Sequence, residues 1–201
     1  MAFTTASRSP WYAPISVSSP WQRTAAVLVG TAFIALCAHV SVPLPWTPVP
    51  MTMQPFAVLL VGLLLGPRLG AATLAAYLLE GSAGLPVFTP QGLGGMAQLF
   101  GPTGGYLLAD PAAAAVAGAL FHRGRRSFGV AVAAGLAAEL ILLSSGLCWL
   151  ALAAHTGFRA AFFAAVLPFL AGDALKILLA AAIAAGYFQT RARTWNDLVK
   201  E

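Results

Sequence analysis

The chain reads as an all-α integral membrane protein: a six-helix bundle, both termini inside, with Gly/Pro-rich outer loops over a binding pocket. Three observations predict this. First, 59% of the 201 residues are hydrophobic and 8% are charged, whereas soluble domains carry about 25% charged residues. Second, the mean hydropathy is +0.82, and the apolar residues fall into runs separated by Pro, Gly and Arg. Third, the basic residues collect at alternate junctions. With the N-terminus in the cytoplasm, Arg8, Arg23, Arg68, Arg123, Arg125, Arg126, Arg191, Arg193 and Lys200 lie inside and Arg159 alone lies outside, the asymmetry that sets membrane orientation. The net charge of +5 is therefore a topology signal rather than a nucleic-acid footprint. The length fits one membrane domain, residues 24–188, between an N-terminal juxtamembrane tail (1–23) and a cytoplasmic tail (189–201).

Residues 1–22 combine Arg8 with Trp11, Tyr12 and Trp21, side chains suited to the headgroup layer. The run 24–42 is long for a signal peptide and lacks a clear A-x-A exit, so it is read as the first span. It carries Ala26-xxx-Gly30 and Thr31-xxx-Ala35, small-residue spacings that let helices approach closely in lipid. Val42-Pro-Leu-Pro-Trp-Thr-Pro-Val-Pro50 cannot form a regular helix and reads as a stiff extended outer connector. Two short runs follow, 53–66 and 69–80, divided by Gly66-Pro67-Arg68. Each is short of the ~20 residues a span needs. Residues 81–105 are apolar yet dense in Gly and Pro. Such backbone at membrane depth is tolerated where it packs on protein or lines a cavity, so a folded or re-entrant outer loop is expected. In the fourth run, about 106–121, Asp110 is read as capping a helix restarted at Pro111. The fifth runs about 128–154 and contains Glu139. The sixth runs about 160–187 and contains Pro168, Asp173 and Lys176.

That last run holds the chemistry. Asp173 and Lys176 lie three residues apart, so they share a helix face. A charge at bilayer depth costs about 2.5–3.5 kcal/mol on insertion scales. The pair is retained either because it meets a small polar solute or because it neutralises itself and pins helix packing; the residues alone leave both open. If it meets a solute, Asp173 offers acceptors and Lys176 donors, which suits a ligand carrying N–H and C=O or carboxylate groups, such as a cyclic urea. Trp46, Phe88 and Tyr106 would close over an apolar ring, with Gln54, Gln91 and Gln98 as neutral hydrogen-bonding partners.

Other chemistries find little support. Neither Gly cluster continues into Lys-Ser or Lys-Thr at phosphate-loop spacing. Cys37 and Cys148 lie in different runs with no CxxC, and no metal set is visible. Ser144-Ser145-Gly146 raises an intramembrane serine hydrolase as a remote alternative, whose base would have to be His155 from the far helix end. No cofactor is expected.

Taken together, Val42-Pro-Leu-Pro-Trp-Thr-Pro-Val-Pro-Met-Thr-Met-Gln54, Gly84-Leu-Pro-Val-Phe88, Gly101-Pro-Thr-Gly-Gly-Tyr106 and Gly172-Asp-Ala-Leu-Lys176 resemble the BioY family, the biotin-specific substrate-capture (S) components of energy-coupling factor transporters. The resemblance covers about residues 24–187. It implies a six-helix bundle in the bacterial cytoplasmic membrane whose biotin pocket opens outward beneath its loops. It also implies substrate contacts by Asp173 and Lys176, and by a polar residue of the long outer loop, for which Gln91 is the choice; Tyr106, Gln54 and Trp46 complete the candidate site. ATP would be consumed by partner subunits, a transmembrane coupling protein and its ATPases. The first helix has only the looser Ala26/Gly30 and Thr31/Ala35 spacing where the family often shows an Ala-xxx-Ala docking motif. A self-sufficient biotin facilitator is therefore the alternative reading.

Overall fold

Ser19 opens the first helix, α1 (Pro20–His39), with a reciprocal cap. Its Oγ accepts from the Gln22 N–H, and the Gln22 side chain accepts from the Ser19 N–H. Pro20 stands at the first helical position, where its missing N–H is harmless. The helix thus starts ahead of residue 24. The computed structural model describes residues 19–155 and 157–198, with side chains as far as Ala192; the expectations for Arg8, Trp11 and Tyr12 lie outside the described residues. Among those described, five helices are long and apolar enough to cross a membrane.

The Pro-rich connector doubles back instead of running extended. β1 (Ser41–Val42) pairs antiparallel with β2 (Met51–Thr52), Ser41 opposite Thr52 and Val42 opposite Met51. Proline cannot donate to the ladder, so pairing stops at Pro43 and resumes after Pro50.

α2 (Gln54–Ser82) joins the second and third runs across a sharp break at Gly66, φ 81° and ψ 177°, a conformation open essentially to glycine alone. The two limbs fold against each other. A Cβ on Gly70 would stand 3.1 Å from the Gly62 Cα, whereas eight residues of straight helix rise about 12 Å. Pro67, lacking an N–H, leaves the Leu63 carbonyl without its helical partner. His122, from α4 (Gly104–Arg123), lies with Nε2 2.7 Å from that oxygen. The same crossing is built from small residues: a Cβ on Gly62 would meet the Ala114 carbonyl oxygen at 2.5 Å, and one on Gly118 would meet the Gly62 carbonyl oxygen at 2.6 Å.

After α2, the loop to Gly94 and the short α3 (Gly95–Phe100) fold over one end of the bundle. α4 continues through Pro111 without a break, so Asp110 is not the cap of a restarted helix. It is a buried mid-helix side chain, 2% exposed. α5 (Phe128–Ala153) follows, with Ser127 Oγ accepting from the Val130 N–H as its cap.

The sixth run is two helices, α6 (Phe158–Ala165) and α7 (Leu170–Leu198), split by a turn at 166–169. Pro168 is the cause: it cannot donate to the Ala164 carbonyl. Thr47, from the Pro-rich loop, donates its hydroxyl to that oxygen at 2.7 Å, and the Tyr106 hydroxyl donates to the next carbonyl, Ala165. Along α7, Asp173, Lys176, Ile177, Ala180, Ala181, Ala184 and Phe188 are buried, while Leu175, Leu178, Leu179 and Ile183 are exposed. That is one helical stripe inward and an apolar face outward.

The bundle therefore has two unlike ends. At one, the loops are tied to each other by Ser41–Gln91, to α6 by Thr47–Ala164 and to α5 by Trp149–Gly101 hydrogen bonds. At the other, Arg126 lies 4.3 Å over the Phe188 ring and Arg191 5.7 Å over Tyr187. On α1, Gly30 and Thr31 turn into the bundle; a Cβ on Gly30 would stand 2.6 Å from Thr73 Cγ2. Of the expected docking face, Gly30 thus packs on α2, and the Thr31 hydroxyl bonds back to the Leu28 carbonyl of its own helix.

Candidate functional site

A cavity of about 70 Å³ lies at the loop end, walled by α2, α4, α5 and α7 and roofed by the loops. Val49, Pro50, Phe88, Leu107, Leu142, Leu143 and Phe169 supply its apolar surface; Thr52, Gln54, Thr89, Gln98, Thr103, Tyr106, Asp110, Glu139, Asp173 and Lys176 supply its polar groups. Apolar walls with a few convergent polar groups are the usual make-up of a small-molecule site.

Asp173 falls in the first turn of α7 because Pro168 ends the preceding helix. There the unpaired N–H groups of the helix start favour a carboxylate. Lys176 follows three residues on, its Nζ 2.8 Å from Asp173 Oδ1, with side chains 7% and 4% exposed respectively. Across the cavity, Gln54 donates from Nε2 to Asp110 Oδ2 at 2.7 Å. Gln98 is held from both sides: Gly94 N–H donates to its Oε1 at 3.2 Å, and its Nε2 donates to Thr103 Oγ1 at 2.8 Å. Tyr106 packs edge-on to Phe169, ring centroids 6.4 Å apart. Its ring occupies the space that a side chain at Gly146 would fill.

The structure brings Asp173, Lys176, Gln54 and Tyr106 together in this one cavity, with Phe88 from the loop after α2 and Gln98 from α3. It places two expected residues elsewhere. Gln91 is exposed, its Oε1 accepting from Ser41 Oγ and Thr89 Oγ1, each at 2.6 Å; it ties the two loops together from outside the pocket. Trp46 is 66% exposed and borders a separate apolar hollow beside α6. Sequence reasoning passed over Asp110 and Glu139, which converge here from α4 and α5. The usable signal was the rarity of carboxylates in apolar runs; their meeting depends on helix packing. Ser145 donates its hydroxyl to the Gly105 carbonyl at 2.7 Å, while His155 lies beyond the end of α5. The pair does not form a nucleophile and base.

The BioY family model matches residues 10–193. A protein named probable biotin transporter BioY from Pyrococcus horikoshii is 39% identical over 158 residues, 79% of this chain and 91% of that one. The biotin transporter BioY of Thermotoga maritima is 39% identical over 154 residues, 77% of this chain and 88% of its own. Among solved structures, the S-component for biotin from an ECF-type ABC transporter superposes with a TM-score of 0.75 at 25% identity, covering 85% of this chain and 94% of that one. With the family match spanning most of the sequence and the polar cavity formed by the residues that first suggested it, the chain belongs to the BioY family.

Proposed function

We propose that this protein captures biotin as the membrane-embedded substrate-binding subunit of an ECF-type transporter. The observation that carries the reading is the buried Asp173–Lys176 pair facing a small, mostly apolar cavity beneath the two outer loops. An acceptor and a donor one helical turn apart suit the polar groups of biotin, and the surrounding Phe88, Tyr106, Leu142 and Phe169 suit its apolar bicycle and chain. The cavity of about 70 Å³ is well below the roughly 300 Å³ of even small ligand pockets. Entry of biotin therefore requires the roof to lift, and the roof is loop with the six-residue α3 rather than a spanning helix.

In this reading the two limbs of α2 count as separate crossings, giving six, and the Arg-rich end faces the cytoplasm with both termini. The protein sits in the cytoplasmic membrane, and partner subunits, a coupling protein and ATPases, drive release inward with ATP. The buried Gly30 and Thr31 favour weighing the self-sufficient facilitator beside it. Mass spectrometry of the purified protein, with calorimetric titration of biotin, tests the ligand; no biotin bound at micromolar concentration would overturn it. Biotin uptake in cells lacking every coupling ATPase separates the subunit from the facilitator.

A further inference from the structure

The cavity holds three carboxyl groups, Asp110, Glu139 and Asp173, against one ammonium, Lys176. Their hydrogen bonds differ in a telling way. Asp110 already accepts from Gln54, Gln98 is engaged at both its oxygen and its nitrogen, and the Tyr106 hydroxyl is committed to Ala165. Glu139 is 6% exposed and neighbours Asp173, yet its Oε2 is buried without any hydrogen-bond partner. An unsatisfied buried acceptor is costly, and a native fold keeps few of them without a reason. The Glu139 carboxyl lies within hydrogen-bonding reach of Asp173, while Leu142 and Leu143, the next cavity-lining residues of α5, are apolar and offer its Oε2 nothing.

We propose that Glu139 is a substrate-contacting, specificity-determining residue that accepts one N–H of the ligand's cyclic urea. The inference rests on the biotin reading above. A cyclic urea presents two N–H donors and one carbonyl acceptor. Asp173 and Glu139 supply two acceptors from adjacent helices, and Lys176 supplies the donor between them. Glu139 gives the second urea N–H an acceptor of its own, beside the Asp173 carboxylate that Lys176 already engages. Sites that hydrogen-bond a donor reject analogues lacking it far more strongly than apolar sites reject a methylene.

The test measures dissociation constants for biotin and for its two mono-N-methyl urea derivatives, on the purified protein and on Glu139→Ala. The native protein is expected to bind both methyl derivatives at least tenfold more weakly than biotin. Glu139→Ala is expected to lose at least tenfold for biotin and to reduce the penalty for one methyl derivative to about twofold, leaving the other penalty in place. A variant that binds biotin as the native protein does, or that keeps both penalties, overturns the assignment. If the alanine variant fails to fold, Glu139→Met, which keeps the bulk and removes the acceptor, carries the same comparison, with one penalty again expected to shrink and two unchanged penalties again overturning it. Failure of the native protein to bind biotin at all is a different result, and refutes the underlying functional reading instead.

Discussion

The Asp173–Lys176 pair can be separated experimentally from a packing pin, because the two roles predict opposite outcomes for one variant. Removing Lys176 alone, as Lys176→Met, leaves a buried carboxylate whose 2.8 Å partner is gone. Breaking a buried pair from one side costs about 3–5 kcal/mol of stability. Removing both charges, as Asp173→Leu with Lys176→Met, replaces the pair by apolar side chains of similar size, which is often neutral or stabilising by about 1–4 kcal/mol. Ligand binding has a different sign pattern. Each charge-assisted hydrogen bond lost is worth about 1.5–3 kcal/mol, or about ten- to a hundredfold in affinity. The double variant should therefore unfold at or above the native temperature in detergent while binding biotin at least about a hundredfold more weakly. The assay is thermal unfolding with and without biotin. Ligand at a hundred times its dissociation constant stabilises the native protein by about 2.7 kcal/mol, and the same concentration should stabilise the double variant by about 0.4 kcal/mol or less. A double variant that keeps the full ligand shift would refute the site and leave the pair as a helix-packing motif.

Three further outcomes follow from the geometry. Gly66→Ala forces a side chain into a φ of 81°, and should lower stability by about 1–3 kcal/mol, visible as a reduced unfolding midpoint; an unchanged midpoint would show that the break relaxes freely. His122→Ala removes the imidazole that stands 2.7 Å from the Leu63 carbonyl, with an expected loss of about 1–3 kcal/mol; His122→Gln, which can still donate, should recover part of it. Gln91→Ala should leave the biotin dissociation constant within about twofold, since substitutions outside a site usually stay within about 0.5 kcal/mol. A tenfold loss there, measured by titration, would bring Gln91 back into the pocket.

Which features were legible in the sequence depends on the range of the physics behind them. The membrane class, the positions of the helical runs and the turn-spaced Asp173 and Lys176 are local, and composition and periodicity carry them. The Pro-rich and Gly-rich stretches were recognisable as loops over a pocket, because their backbone needs burial against protein. What they do in detail was not. Gln91 and Gln98 are seven positions apart, one in the loop and one in the short α3, and only the folded path shows that Gln98 turns in while Gln91 ties to Ser41. Asp110 before Pro111 matches a helix start, yet α4 passes through. Burial against Gln54 overrode the local signal. Glu139 carried no local signal beyond its charge.

The prolines explain how the same chain both breaks its helices and holds its loops. A proline inside a helical run orphans the carbonyl four residues earlier, and in a bundle without water that carbonyl must find another donor. At Pro67 the orphan is Leu63, met by His122 of α4, which fixes the α2 break against its neighbour. At Pro168 the orphan is Ala164, met by Thr47 of the Pro-rich loop, while Tyr106 takes the adjacent Ala165. The second case ties a roof loop and a pocket-lining tyrosine to the very break that sets Asp173 in the first turn of α7. Roof, aromatic wall and charged pair are thus registered to one another through a single four-residue turn. A movement of the Pro-rich loop that frees Thr47 leaves the Ala164 carbonyl, in the last turn of α6, without that donor, one turn of chain ahead of the binding helix.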